Sequence, residues 1–153
     1  MNLLQKVLRP GLLFSILLAV AYGNAAENSS PTVQVKIGTI LATNKSDEFD
    51  ARLKPMEKQL KVMKYRSYRL LKEDTQTVSW QNHATFAIPG GRSLSVTPQE
   101  FRDKQIALKV RLLEGEKPLL DTTVRLHNRG NFILGGPPHE GGALVLSISA
   151  ATQ

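Results

Sequence analysis

The chain has no cysteine among its 153 residues, and that absence excludes several classes at once. A disulfide framework is ruled out, so an apolar core has to hold the fold. A lipid-modified cysteine and any thiolate metal centre are ruled out with it. Histidine is scarce: His83, His127 and His139 all fall in predicted turns, with none at metal-ligand spacing from another. Aromatic residues make up only 6%, with a single tryptophan, Trp80. No serine lies in a nucleophile elbow, and no serine-lysine pair has catalytic spacing. The Gly-Gly pairs at 90–91, 135–136 and 141–142 lack the strand-loop-helix context of a phosphate loop and read as turns. The pattern predicts a chain that is not an enzyme, with no catalytic, cofactor or metal residue.

Long apolar runs are missing too, except at the N-terminus. Lys6 and Arg9 precede an apolar stretch at 11–21 that is broken only by Ser15. Small residues follow, with Gly23 and Ala25 at the −3 and −1 positions of a cleavage site after Ala25; a cut after Gly23 is the alternative. Residues 1–25 therefore read as a secretory signal peptide, and 26–32 as a small, polar, flexible leader. The apolar stretch is shorter than the ~20 residues that span a bilayer, and Arg9 stands alone, which excludes a twin-arginine signal. No transmembrane helix is expected in the mature chain. An exported chain without disulfides fits a bacterial periplasm or cell surface better than an animal extracellular space.

The charge is positive and local. Without Lys6 and Arg9, 18 of the 20 Lys and Arg residues remain against 13 acids. Eight of them (Arg52, Lys54, Lys58, Lys61, Lys64, Arg66, Arg69, Lys72) lie within 51–72, beside the single acid Glu57. Lys54, Lys58, Lys61, Lys64, Arg66, Arg69 and Lys72 are the candidate contacts for an anionic partner, such as a lipid headgroup, a wall polymer or an acidic envelope protein. No nucleic-acid signature accompanies them, so nucleic acid is not an expected partner.

The apolar pattern predicts mostly strands. Val33, Val35 and Ile37 alternate with polar residues, and the strand they begin runs to about Ala42. Phe49, Leu53, Met56, Leu60 and Met63 are spaced four, three, four, three, which predicts one amphipathic helix, capped by Asn44 or Ser46, that Pro55 either kinks or restarts as a second helix. Beyond it, strands are predicted at 65–71, 75–80, 84–88, 93–97, 105–113, 119–126, 131–134 and 143–149. Lys109, Arg111, Asp121, Arg125, Ser147 and Ser149 occupy the polar positions, the pattern of antiparallel strands with one wet face. Pro89-Gly90-Gly91, Glu114-Gly115-Glu116-Lys117 and His127-Asn128-Arg129-Gly130 supply turns, the last two read as hairpins, and 135–142 reads as a loop. The expected architecture is α+β and mostly antiparallel β, a sandwich or barrel-like sheet at 33–150 with one N-terminal amphipathic helix packed on it.

Two further features offer handles. Tyr65, Tyr68 and Trp80 flank basic residues, but on a strand Tyr65 and Tyr68 fall on opposite faces, which leaves Trp80 as the candidate carbohydrate contact. His139-Glu140 is the one adjacent pair a hydrolase could use.

The stretch at 104–149 resembles the C-terminal β region of bacterial secretins. The likeness rests on Asp121-Thr122-Thr123-Val124-Arg125-Leu126, a short turn, and Phe132-Ile133-Leu134-Gly135-Gly136. The chain as a whole is similar to small uncharacterised exported bacterial β-rich proteins. These resemblances imply an envelope-associated β domain and carry over no functional residue. The leading reading is a non-enzymatic exported binding or assembly module, accessory to a secretion or pilus-type system, acting through sheet edges and the basic segment. A carbohydrate- or wall-binding domain using Trp80 is the alternative, and a hydrolase at His139 and Glu140 the third.

Overall fold

The structure, a computed structural model, describes residues 31–153. The signal-peptide reading and most of the leader lie outside the described residues. Eight strands follow in chain order: β1 (Thr32–Thr43), β2 (Ser67–Ser79), β3 (Ala84–Ile88), β4 (Arg92–Arg102), β5 (Gln105–Glu114), β6 (Lys117–His127), β7 (Gly130–His139) and β8 (Gly142–Thr152). They form two four-stranded antiparallel sheets, ordered β2-β1-β8-β7 and β3-β4-β5-β6. Among the described residues the two sheets are not joined by a ladder, so the arrangement is a sandwich and not a closed barrel.

Alternation explains how the sandwich fills. Val33, Val35, Ile37 and Leu41 of β1 meet Leu144, Leu146 and Ile148 of β8 on the inner face of one sheet. Opposite them lie Ile106, Leu108, Val110 and Leu112 of β5, with Phe86, Leu94, Val96, Val124 and Leu126 around them. At about 1.5–3 kcal/mol for each fully buried large aliphatic side chain, this layer supplies the cohesion that disulfides would otherwise add.

The one-wet-face expectation fails for β1 and β8. Their outer residues Ile40, Ala42 and Val145 are buried in a second cluster with Leu53, Leu60 and Tyr68. Over them lies a 3-10 helix, Ala51–Met56, followed by a five-residue helix α1 (Glu57–Lys61). One continuous amphipathic helix over Phe49–Met63 does not form. Pro55 lies inside the 3-10 segment, has no N–H to give, and restricts Lys54 before it, so the chain restarts in a second short turn. The cap is Asp50, not Asn44 or Ser46: Asp50 Oδ1 accepts from the Arg52 N–H at 3.0 Å. Residues 48–50 run instead along the β2 edge, where Tyr68 N–H donates to the Glu48 carbonyl and Asp50 N–H to the Tyr68 carbonyl.

Polar groups fasten this helical cap to the sheet. Asn131 Nδ2 donates to Gln59 Oε1, Gln59 Nε2 donates to the Asn131 carbonyl, and the Ser147 and Ser149 hydroxyls donate to Asn131 Oδ1. Ser147, expected on a wet face, is therefore buried with its hydrogen bond made.

The strand layout departs from the sequence reading in four places, the first being β4, which runs from Arg92 to Arg102 past Pro98 and a bulge and does not stop at 97. Residues 65–71 and 75–80 merge into the single strand β2, because the bulge opposite Thr39/Ile40 absorbs the change of phase at Leu71. The stretch 135–142 is mostly strand, since β7 is an edge strand that tolerates Pro137 and Pro138. His127-Asn128-Arg129-Gly130 is no hairpin: it carries the chain from one sheet to the other, so β6 and β7 do not pair.

Candidate functional site

The basic segment does not present one surface. Lys54, Lys58, Lys61 and Lys64 ride on or just beyond the helical cap, whereas Arg66 lies in the turn before β2, and Arg69 and Lys72 lie within β2. Arg66 is held by Asp47 at 2.7 Å, and that guanidinium, through its hydrogen bonds and then its charge, pulls the Asp47 carboxyl below its ordinary range. Arg69 sits opposite Leu41 and lines a cleft with Thr43, Lys45, Glu48 and Glu140 at the end of the sandwich. Lys72 bonds Asp74 at 3.2 Å and donates to the Ala87 carbonyl at 3.3 Å. Of the basic segment, the four lysines at the cap are the ones that share one part of the fold. Within that group, Lys61 and Lys54 flank Glu57 at 2.8 and 3.5 Å, and their hydrogen bonds and charge lower its carboxyl. Lys58 and Lys64 remain exposed, as does Val62 at 76%.

The sheet edges differ in how far they are closed. The start of the β2 edge is covered: besides the contacts of Glu48 and Asp50, Leu70 N–H donates to Asp50 Oδ2, and Arg52 donates to the Leu70 carbonyl. Farther along, Lys72 and Gln76 reach laterally and donate to the Ala87 and Thr85 carbonyls, which closes β2 and β3 against each other. The β7 edge carries Pro137 and Pro138 and gives its Asn131 carbonyl to Gln59. On β6, the charged side chains turn back onto their own sheet, with Asp121 on Arg111 at 3.4 Å and Arg125 on Glu100 at 3.3 Å. From Leu120 to His127 the β6 ladder is regular and free of proline. Among the described residues, this is the edge whose backbone no arm, lateral side chain or proline closes.

The aromatic and histidine candidates resolve differently. Tyr65 precedes β2, so the opposite-face argument fails, and its ring meets Tyr68 edge-on at 6.4 Å. Tyr68 is buried, donates to the Leu60 carbonyl at 2.6 Å and packs against Phe49 at 5.9 Å; it is a core residue of the cap. Trp80 is half-buried against the inter-sheet core, in the connection between β2 and β3. His139 Nε2 lies 3.7 Å from Glu140, but its Nδ1 faces the Arg92 guanidinium at 3.4 Å, where a cation would be repelled. Among the described residues, no group of three or more His, Asp or Glu comes together to hold a metal ion. Nor is any helix long and apolar enough to cross a membrane.

The edge was missed in the sequence because openness depends on strand order, and alternation does not encode order. No family model and no curated protein matches the chain. Among solved structures, it is similar to the T2SS secretin XcpQ from Pseudomonas aeruginosa, with 10% identity over 80% of this chain and a TM-score of 0.35. The chain spans 56% of that structure's length, and a likeness of this degree carries no argument about what the chain does.

Proposed function

We propose that the chain is a non-catalytic binding and assembly module of the bacterial envelope, which accepts an extended segment of a partner protein along the β6 edge. The observation that carries this reading is the contrast between edges among the described residues: the others are covered, crossed or broken by proline, while along Leu120–His127 the outward-facing backbone groups of β6, those of every second residue, meet no such cover. An added strand needs no special side chains, since main-chain hydrogen bonds give it affinity. The envelope location rests on residues 1–25, which have the charge, apolar stretch and small-residue site of an export signal. The cap lysines add a means of staying close to an anionic surface.

Site-specific photo-crosslinking in the producing cell tests the edge. A crosslinking residue at Thr123 on β6 should give one defined adduct, and the same residue at Thr75 on β2 should not. Thr123→Lys, with the crosslinker moved to Arg125, should weaken the adduct without changing the far-UV spectrum. Adducts of equal yield from both positions, or from β2 alone, would sink the proposal.

A further inference from the structure

The outer face of the second sheet carries a polar cleft of about 300 Å³, lined by His83, Ser95, Thr97, Lys109 and Arg111. Register builds it. Ser95 on β4 lies opposite Arg111 on β5, and Thr97 lies opposite Lys109, so each base faces a hydroxyl across the ladder. Directly opposed residues stand about 5 Å apart at Cβ, and second neighbours along a strand about 7 Å apart, so the four groups form a compact rectangle. His83, just before β3, closes one side. On the far side Thr123 lies opposite Lys109 and Asp121 opposite Arg111.

The charges in this rectangle do not balance. Two basic side chains stand side by side on β5, but only one is matched: Asp121 pairs with Arg111, Glu100 pairs with Arg125, and Lys109 has no ion-pair partner among the described residues. Lys109 stands between two threonines, with a hydroxyl on each side in place of a carboxylate. A ligand carboxylate would only repeat what Asp121 already gives Arg111. A tetrahedral oxyanion has enough oxygens to take the lysine ammonium, the imidazole and the two hydroxyls together. The cleft also exceeds what a bare anion fills.

We infer that this cleft binds a phosphoryl group esterified to a small polyol or sugar, with Lys109 and Arg111 supplying charge and His83, Ser95 and Thr97 supplying directed hydrogen bonds. The inference stands apart from the β6 edge, because the cleft lies on the face of the sheet and needs no added strand.

The test is an amide-resolved NMR titration at constant ionic strength, with inorganic phosphate in one arm and glycerol 3-phosphate in the other. Saturable shifts should concentrate at His83, Ser95, Thr97, Lys109 and Arg111, and the ester should saturate at the lower concentration. Lys109→Gln with Arg111→Gln should weaken binding about tenfold or more. Lys58→Gln with Lys61→Gln removes the same charge from the helical cap and should leave affinity unchanged. Equal losses in the two double variants would show general attraction to a basic protein and overturn the site. Absence of saturable shifts at these residues would do the same. Inorganic phosphate saturating as readily as the ester would overturn the esterified ligand and leave a free-anion site.

Discussion

Arg92 keeps only 11% of its side chain exposed, and all three nitrogens of its guanidinium make hydrogen bonds. Nε pairs with Glu114 at 2.9 Å, while the terminal nitrogens donate to the Pro89 carbonyl at 3.0 Å and the Pro138 carbonyl at 3.2 Å. One side chain thus ties the β3–β4 turn, the end of β5 and the β7 edge together, across both sheets. Gly90 makes room for it: with φ at +87°, a Cβ there would fall 2.6 Å from the guanidinium. Arg92→Leu should lower the unfolding free energy by about 2–3 kcal/mol, read from urea denaturation, because charge-assisted bonds are lost and carbonyls are left unpaired. Arg92→Lys should recover less than half, since the three donors of an ammonium leave one nitrogen and cannot reach sites spread around a guanidinium plane. Full recovery by lysine would refute the geometric argument. Asp50 makes a different, pH-dependent contribution. Its hydrogen bonds to the Arg52 side chain and backbone, and then to Leu70 N–H, hold its carboxyl well below the ordinary value of 3.8. A depressed carboxyl stabilises the fold above its ordinary value, and that contribution disappears as the pH falls through the lowered one. Asp50→Asn should therefore be most destabilising near neutrality, and the gap to the parent should close on acidification below about pH 4. A gap constant with pH would refute the assignment.

At the scale of elements, the strands that alternate most plainly were legible: β5, β6 and β8 appear close to where apolar residues repeat every second position. What the pattern left unread follows from physical causes. The turn between β4 and β5 places Asp103 and Lys104 at positive φ without glycine, so no punctuation marked it. Tertiary cover, not local sequence, buried Ser147 and divided the basic segment between a cap and a strand. The five-residue face Phe49, Leu53, Met56, Leu60 and Met63 does pack together, although Pro55 splits the helix it suggested. On that split cap, Lys58, Lys61 and Lys64 are exposed within four residues of the exposed Val62. Exposed lysines beside an exposed valine are the chemistry that a screened, shallow contact with an anionic bilayer would use. The folded chain should co-sediment with phosphatidylglycerol vesicles at low salt and be released as ionic strength rises to about 0.5 M. Reversal of the three lysines to glutamate should abolish the association without loss of fold. Binding that persists at high salt, or in the triple variant, would exclude the cap as the contact.

For the whole molecule, the order in which the sheets close is set by connectivity. The second sheet is a meander in which β3, β4, β5 and β6 pair only with sequence neighbours through short turns. The first sheet is assembled from both ends of the described chain: its central ladder joins β1 to β8, with Val33 paired to Thr152. Closing that ladder encloses more than a hundred residues, whereas β5 and β6 meet across two. Loop-closure entropy therefore favours a transition state in which the meander is formed and β8 is not yet docked. Val110 and Leu146 are both fully buried in the same inter-sheet core, which makes them a matched pair of probes. Val110→Ala and Leu146→Ala should each destabilise by about 1–4 kcal/mol, from lost burial and the cavity left behind. Their kinetics should part company. Val110→Ala should act mainly on the folding limb of a chevron plot, with a φ-value above about 0.5, and Leu146→Ala mainly on the unfolding limb, with a φ-value below about 0.3. A reversed order would place the β1–β8 ladder in the nucleus, which would mean that hydrophobic contact between distant strands outweighs the closure entropy that separates them.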